Sequence, residues 1–153
     1  MLGDDVLNDE LYREVILDHF KNPRNRGRMA DPTVHVSGKN PLCGDQLELS
    51  LRIEGDKILE SKIEAHGCSI SKASASMMSE AIQDRSLQDA EKFTALFKQM
   101  MLQNGTADAF PDAMEDLKAL EGVKQYPVRI KCALLPWNAL LQAIQERKSN
   151  GHR

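Results

Sequence analysis

Apolar residues near the start of the chain recur at helical spacing: Leu11, Tyr12, Val15, Ile16, His19 and Phe20. The spacing predicts an amphipathic helix with Asn8 as N-cap, Asp9 and Glu10 in the first turn, and an end near Asn22-Pro23. The period then changes. From Gln46 to Ile53 apolar and polar residues alternate strictly, with Leu47, Leu49, Leu51 and Ile53 on one face, as in a half-buried strand. Glu54-Gly55-Asp56 reads as a turn, and residues 58–65 return as the second strand of an antiparallel hairpin, with Leu59, Ile63 and Ala65 on a common face. Val34 and Val36 predict a third strand, at the edge. Beyond Cys68 the helical period resumes through Ile70, Ala73, Met77, Met78, Ala81 and Ile82. The Met pair reads as core filler, since no histidine accompanies it on that face. Ser86 can cap a further helix carrying Leu87, Ala90, Phe93, Phe97 and Met100, with Asn104-Gly105 as its stop. A short helix over residues 113–120 and a last one carrying Trp137, Leu140, Leu141 and Ile144 follow. Strands early and helices late predict an α+β fold: a small antiparallel three-stranded sheet with helices packed on one face.

The chain of 153 residues is expected to form one domain, 1–153, with flexible ends at 1–7 and 149–153. A net charge of −3 argues against a nucleic-acid surface. Acidic residues at the N-terminus and the lack of any long apolar run predict a cytoplasmic protein with no membrane segment. The basic stretch Pro23-Arg24-Asn25-Arg26-Gly27-Arg28 reads as a loop, either simply solvated or a docking surface.

Candidate chemistry centres on three cysteines, which in a reducing compartment serve as ligands, nucleophiles or small buried hydrophobes. In Cys43-Gly44-Asp45, an extended backbone would send the thiol and the carboxylate to the same side, with Gly44 allowing close approach of another group. Cys68, in Gly67-Cys68-Ser69, falls at the start of a helix, where the dipole favours a thiolate. Cys132 follows Arg129 and Lys131, two cations that also favour a thiolate. If the three cysteines converge, Asp45 supplies a fourth donor, and three thiolates plus one carboxylate make a tetrahedral site that zinc accepts. Such a site around a dication carries a net charge of about −2, which Arg129 and Lys131 are placed to offset. A carboxylate in the set also makes ligand exchange easier than at an all-thiolate site. Among the histidines, His66 can either reach that centre or point away from it, His19 reads as a hydrogen-bonded core residue, and His35 and His152 are uninformative.

The sequence resembles the U-type iron–sulfur assembly proteins, the SufU, IscU and N-terminal NifU group, and within it the SufU members. The resemblance runs through Leu11-Tyr12-Arg13-Glu14-Val15-Ile16-Leu17-Asp18-His19, Asn22-Pro23-Arg24-Asn25, Cys43-Gly44-Asp45, Gly67-Cys68-Ser69-Ile70-Ser71, Ala73-Ser74-Ala75-Ser76-Met77-Met78 and Arg129-Ile130-Lys131-Cys132. It implies that Cys43, Asp45, Cys68 and Cys132 meet at one metal site at the end of the sheet. It also implies that the occupant is zinc and that Cys43 takes persulfide sulfur from a PLP-dependent, SufS-like cysteine desulfurase. In that scheme the partner contributes its own ligand to the zinc and frees Cys43, while Arg129 stabilises charge at the site or contacts the partner. Downstream cluster-assembly proteins are the implied receivers. The alternative is a scaffold on which Cys43, Cys68 and Cys132 hold a [2Fe–2S] cluster or iron; a third reading is a zinc domain whose thiols never react. Lys131 stands where IscU-type scaffolds carry a histidine, and the Cys68-to-Cys132 interval is longer than theirs, with the extra length expected over residues 84–103. Gln125-Tyr126-Pro127-Val128 only partly matches the segment by which those scaffolds engage a dedicated chaperone, so that chaperone is not expected here.

Overall fold

The computed structural model describes the backbone of residues 2–150 and the side chains of residues 12–150. Its frame is an antiparallel sheet in the order β1 (Val34–Asn40), β2 (Asp45–Glu54), β3 (Lys57–His66). Alternation in β2 does what the pattern predicts: Leu47, Leu49 and Leu51 are buried, and Val34 and Val36 of β1 pair opposite Leu51 and Leu49. At its start β3 differs from expectation. A register shift between Arg52 and Ile53 sets Ile58 opposite Ile53, so Ile58 is buried and Leu59 only half-buried. A slip of one residue exchanges the two faces of a strand, which period-two reading across the turn does not reveal.

Four α-helices accompany the sheet: α1 (Leu2–Lys21), α2 (Ser69–Ala81), α3 (Leu87–Leu102) and α4 (Pro127–Asn150). Helices α2 and α4 pack on the inner face of the sheet, α1 lies along α2, and α3 lies against α4. Asn8, expected as a cap, falls inside α1, because residues 2–7 contain no proline to stop the helix from extending backwards. The ends expected to be flexible are thus helical at 2–7 and 149–150, while Met1 and residues 151–153, with His152, lie outside the described residues. Among the described residues no helix is long and apolar enough to cross a membrane.

The short helix expected over 113–120 is present and longer, as a run of 3₁₀ turns, Asp112–Gln125, with Met114 at φ −104°, ψ 15° inside it. Met114, Leu117, Leu120 and Val123 are buried at a spacing of three, and Ala119 is buried beside Leu120. Three residues per turn is the 3₁₀ period, so one face of this run stays on the core without drift.

Trp137 sits fully buried at the centre, stacked on Phe97 with ring centroids 5.1 Å apart. Its indole N–H donates to Ser74 Oγ at 3.2 Å, and that hydroxyl donates to the Ala133 carbonyl, so the one polar atom of the ring is satisfied. His19 is a core residue as expected: Nδ1 lies 2.7 Å from Ser76 Oγ and Nε2 lies 2.8 Å from Asp116 Oδ2. Helix α3 is capped as the sequence suggests, Ser86 Oγ accepting from the Asp89 N–H at 3.0 Å. Ser86→Ala is expected to lose about 1 kcal/mol of stability, seen as a lower urea midpoint at unchanged m-value.

Candidate metal centre

Asn40 and Asp45 form the closing pair of the β1–β2 ladder, and Gln46 pairs with His66, so the start of β2 and the end of β3 share one end of the sheet. Between Asn40 and Asp45 the chain folds into a turn, with the Cys43 N–H donating to the Asn40 carbonyl at 3.2 Å. The extended backbone expected at Cys43-Gly44-Asp45 is therefore not present. Convergence of the two side chains comes from curvature instead, and Gly44 contributes its φ of +71°, not room for a neighbour: a Cβ there would meet nothing within 4 Å.

Asp45 is 1% exposed and is the joint of the site. Its Oδ1 accepts from the Cys68 N–H at 2.8 Å, and its Oδ2 lies 3.9 Å from Cys68 Sγ. Cys68 is the N-cap of α2, at φ −75°, ψ 163°, so the carboxylate satisfies one of the free N–H groups at the start of that helix. Gly67 makes this approach possible. A Cβ on it would stand 2.1 Å from Asp45 Oδ1 and 2.8 Å from Asp45 Cα. Ser71, one turn into α2, donates to the Cys68 carbonyl at 3.1 Å and lies 3.9 Å from its sulfur.

Cys132 arrives on α4, which Pro127 opens at the position where a missing N–H does no harm. The thiol is fully buried, donates to the Val128 carbonyl at 3.7 Å and receives the Asn40 amide at 3.8 Å. Burial first, and then its neighbours Asp45, Cys43 and Cys68, push the Cys132 thiol above its ordinary pKa. Arg129 lies three residues earlier on the same helix face, and its guanidinium pKa is raised by the neighbouring sulfurs, Cys132 first and then Cys68. Lys131, expected beside Arg129 as a counter-charge, projects about 100° round the helix from Cys132 and is exposed.

The donor atoms of Cys43, Asp45 and Cys132 lie within 4.8 Å of one another, and Cys68 adjoins the group through Asp45. His66 points elsewhere, into a cleft with Lys21 and Lys72. Three sulfurs and one carboxylate oxygen so close together suit a tetrahedral thiophilic dication, and the nearby arginine offsets part of the excess negative charge. Asn40, Gly67 and Ser71 complete the surroundings; in the sequence Gly67 and Ser71 stand out only as neighbours of Cys68 in the family motif.

One side of the cluster is open. Leu42, Tyr126 and Val128 are 68%, 60% and 56% exposed, and with Ile70 and Val123 they line an apolar groove whose wall includes Cys43. Large apolar side chains concentrated at a reactive group are what a protein-docking surface presents.

The family model for the NifU-like N terminal domain matches residues 11–148. The chain is 43% identical to the zinc-dependent sulfurtransferase SufU of Bacillus subtilis over 140 residues, covering 92% of this chain and 93% of that protein. It is 35% identical to the iron–sulfur cluster assembly scaffold protein IscU of Streptococcus pyogenes over 144 residues, 94% of this chain and 89% of the relative. Among solved structures, a protein of Fervidobacterium islandicum described as a cluster assembly scaffold for the SUF system superposes with a TM-score of 0.77. That match has 35% identity and covers 86% of this chain and 94% of the other.

Proposed function

Since the chain belongs to the NifU-like N-terminal domain family, we propose that it is a zinc-dependent sulfur acceptor of iron–sulfur cluster assembly, working as a single cytoplasmic domain. The observation that carries this reading is the double position of Cys43, which belongs to the donor cluster and also to the wall of the open groove. Cys132 is sealed in the core and Cys68, though only half-buried, does not line that groove, so Cys43 is the cluster thiol a bulky donor reaches through it.

Cys43, Asp45, Cys68 and Cys132 would hold the zinc, which when bound supplies a Lewis-acidic charge that keeps thiols deprotonated at neutral pH. The residues do the rest. Asp45, fixed by the Cys68 N–H, keeps the hairpin tip at the start of α2. Arg129 balances negative charge on the sulfurs. The sulfur donor is a PLP-dependent cysteine desulfurase carrying a persulfide. The Cys43 thiolate attacks the terminal sulfur of that persulfide, a new S–S bond forms on Cys43, the donor's S–S bond breaks, and the donor cysteine leaves as a thiolate. No net oxidation occurs. The same exchange passes the sulfur to a downstream cluster-assembly protein.

A scaffold function, with a [2Fe–2S] cluster as cargo on the same cysteines, is the second reading, favoured by the relative named IscU. Native mass spectrometry of the anaerobic protein, before and after incubation with a cysteine desulfurase and cysteine, separates the two. One zinc and one added sulfur per chain are expected; gain of paired iron and sulfide when iron is supplied would replace transfer by scaffolding.

A further inference from the structure

The basic stretch after α1 contains three arginines, and two of them are committed to partners. Arg24 pairs with Asp18 at 2.6 Å and Arg28 pairs with Glu64. Arg26 is exposed and, among the described residues, is in no ion pair. Its backbone is nonetheless fixed, because the Gly27 N–H donates to the Ile63 carbonyl and the Ile63 N–H to the Asn25 carbonyl, both at 2.9 Å. The short segment thus adds to the outer edge of β3, and Arg26 lines a cleft of about 150 Å³.

Lys21 at the end of α1, Lys72 in α2 and His66 at the end of β3 also line this cleft, over a floor that includes Phe20. Among the described residues neither lysine is in an ion pair; Lys72 Nζ stands 5.5 Å from the Phe20 ring centroid. Glu64 is the acidic residue of the lining, and Arg28 already takes it. In a chain of net charge −3, three uncompensated side-chain cations around one cleft reverse the local sign. The cleft also adjoins the donor cluster, since the Lys72 N–H donates to the Cys68 carbonyl at 3.3 Å, yet it shares no lining residue with the groove beside Cys43.

We propose that this cleft receives the carboxylates of an acidic segment on the protein that delivers sulfur, a second contact across the donor cluster from the apolar groove; the inference rests on the function proposed above. Exposed pairs contribute roughly 0–1 kcal/mol each, so a free acidic peptide binds here only weakly, at about millimolar concentration or above. A carboxylate tethered to a partner already docked at the groove arrives at high effective concentration, and there such pairs count.

The test is the dependence of sulfur transfer on the concentration of this protein, with a cysteine desulfurase and cysteine. Arg26→Glu and Lys72→Glu are each expected to raise the half-saturating concentration roughly three- to fivefold at unchanged maximal rate, and the effect should shrink as sodium chloride is added. Lys148→Glu, at the far end of α4, serves as the control. Unchanged half-saturation in both cleft variants, or a loss confined to the maximal rate, overturns the proposal. If the wild-type protein accepts no sulfur, the reading of the donor cluster fails separately. The cleft is then probed by amide chemical shifts on titration with an Asp/Glu hexapeptide and with inorganic phosphate at equal ionic strength. Shifts at His66 and Lys72 with the peptide alone support the acidic segment; shifts with phosphate alone, or none, overturn it.

Discussion

Cys43→Ala is expected to reduce sulfur acceptance from a desulfurase persulfide by roughly two orders of magnitude or more, the usual result of removing a nucleophile. The loss should be chemical, not structural. Cys43 is half-buried in a turn and takes no part in the apolar core, so the variant should keep its far-UV circular dichroism and near-wild-type thermal unfolding once metal content is matched. Cys43→Ser separates nucleophile from shape, because it preserves the size of the side chain and lacks the sulfur. The informative comparison is with Cys68→Ala, which removes a thiol of the same site that does not line the groove. Normal acceptance by Cys43→Ala together with loss in Cys68→Ala would transfer the acceptor role from Cys43 to Cys68.

A glycine with no chemistry of its own carries the second large effect. In Gly67→Ala the new methyl group meets the Asp45 carboxylate and Cα at 2.1 and 2.8 Å, at a backbone φ of +127° that an L side chain rarely adopts. Neither side gives way easily: Asp45 is tied to the Asn40 pair in the ladder, and Gly67 links β3 directly to the cap of α2. Strain and overpacking each contribute about 1–3 kcal/mol, so a loss of roughly 2–6 kcal/mol in urea unfolding is expected. Retention of metal at the proposed centre against a competing chelator should fall about 10- to 100-fold. Gly122→Ala is the matched control, because a Cβ there meets nothing within 4 Å and the change should stay within about 0.5 kcal/mol. Equal behaviour of the two variants would show that the Asp45–Gly67 approach is not needed.

Local periodicity carried most of the fold. The alternation of β2, the Ser86 cap and the three- and four-residue spacing of α2 are decided by neighbours along the chain, and each appears in place. Two local details differ. The burial of Ile58 follows from a register shift at the hairpin, and the short helix expected over 113–120 is a longer 3₁₀ run at Asp112–Gln125. The candidate donors were legible as residue types in suggestive settings, but their meeting came only from the family resemblance. The contacts that assemble them span 23 residues from Asp45 to Cys68 and 92 from Asn40 to Cys132, beyond any local pattern. Gly44 illustrates the limit: the sequence suggests close approach there, and the residue serves the turn instead.

The donors also have an order of arrival. A chain emerging from the ribosome presents the hairpin with Cys43 and Asp45 first, then Cys68 with α2, and after that all of α3 and the 3₁₀ run before Cys132 appears. Trp137, the centre of the core, follows Cys132 by five residues on the same helix. The last donor and the packing that seals the domain are therefore delivered together. On the proposed function, the nascent chain would offer metal two thiols and a carboxylate during synthesis, a set open to loose and reversible capture, and the complete centre would close only when α4 docks. A chain truncated before α4 would then be both unfolded at its core and unable to complete the proposed centre, so full metal retention would report completed synthesis.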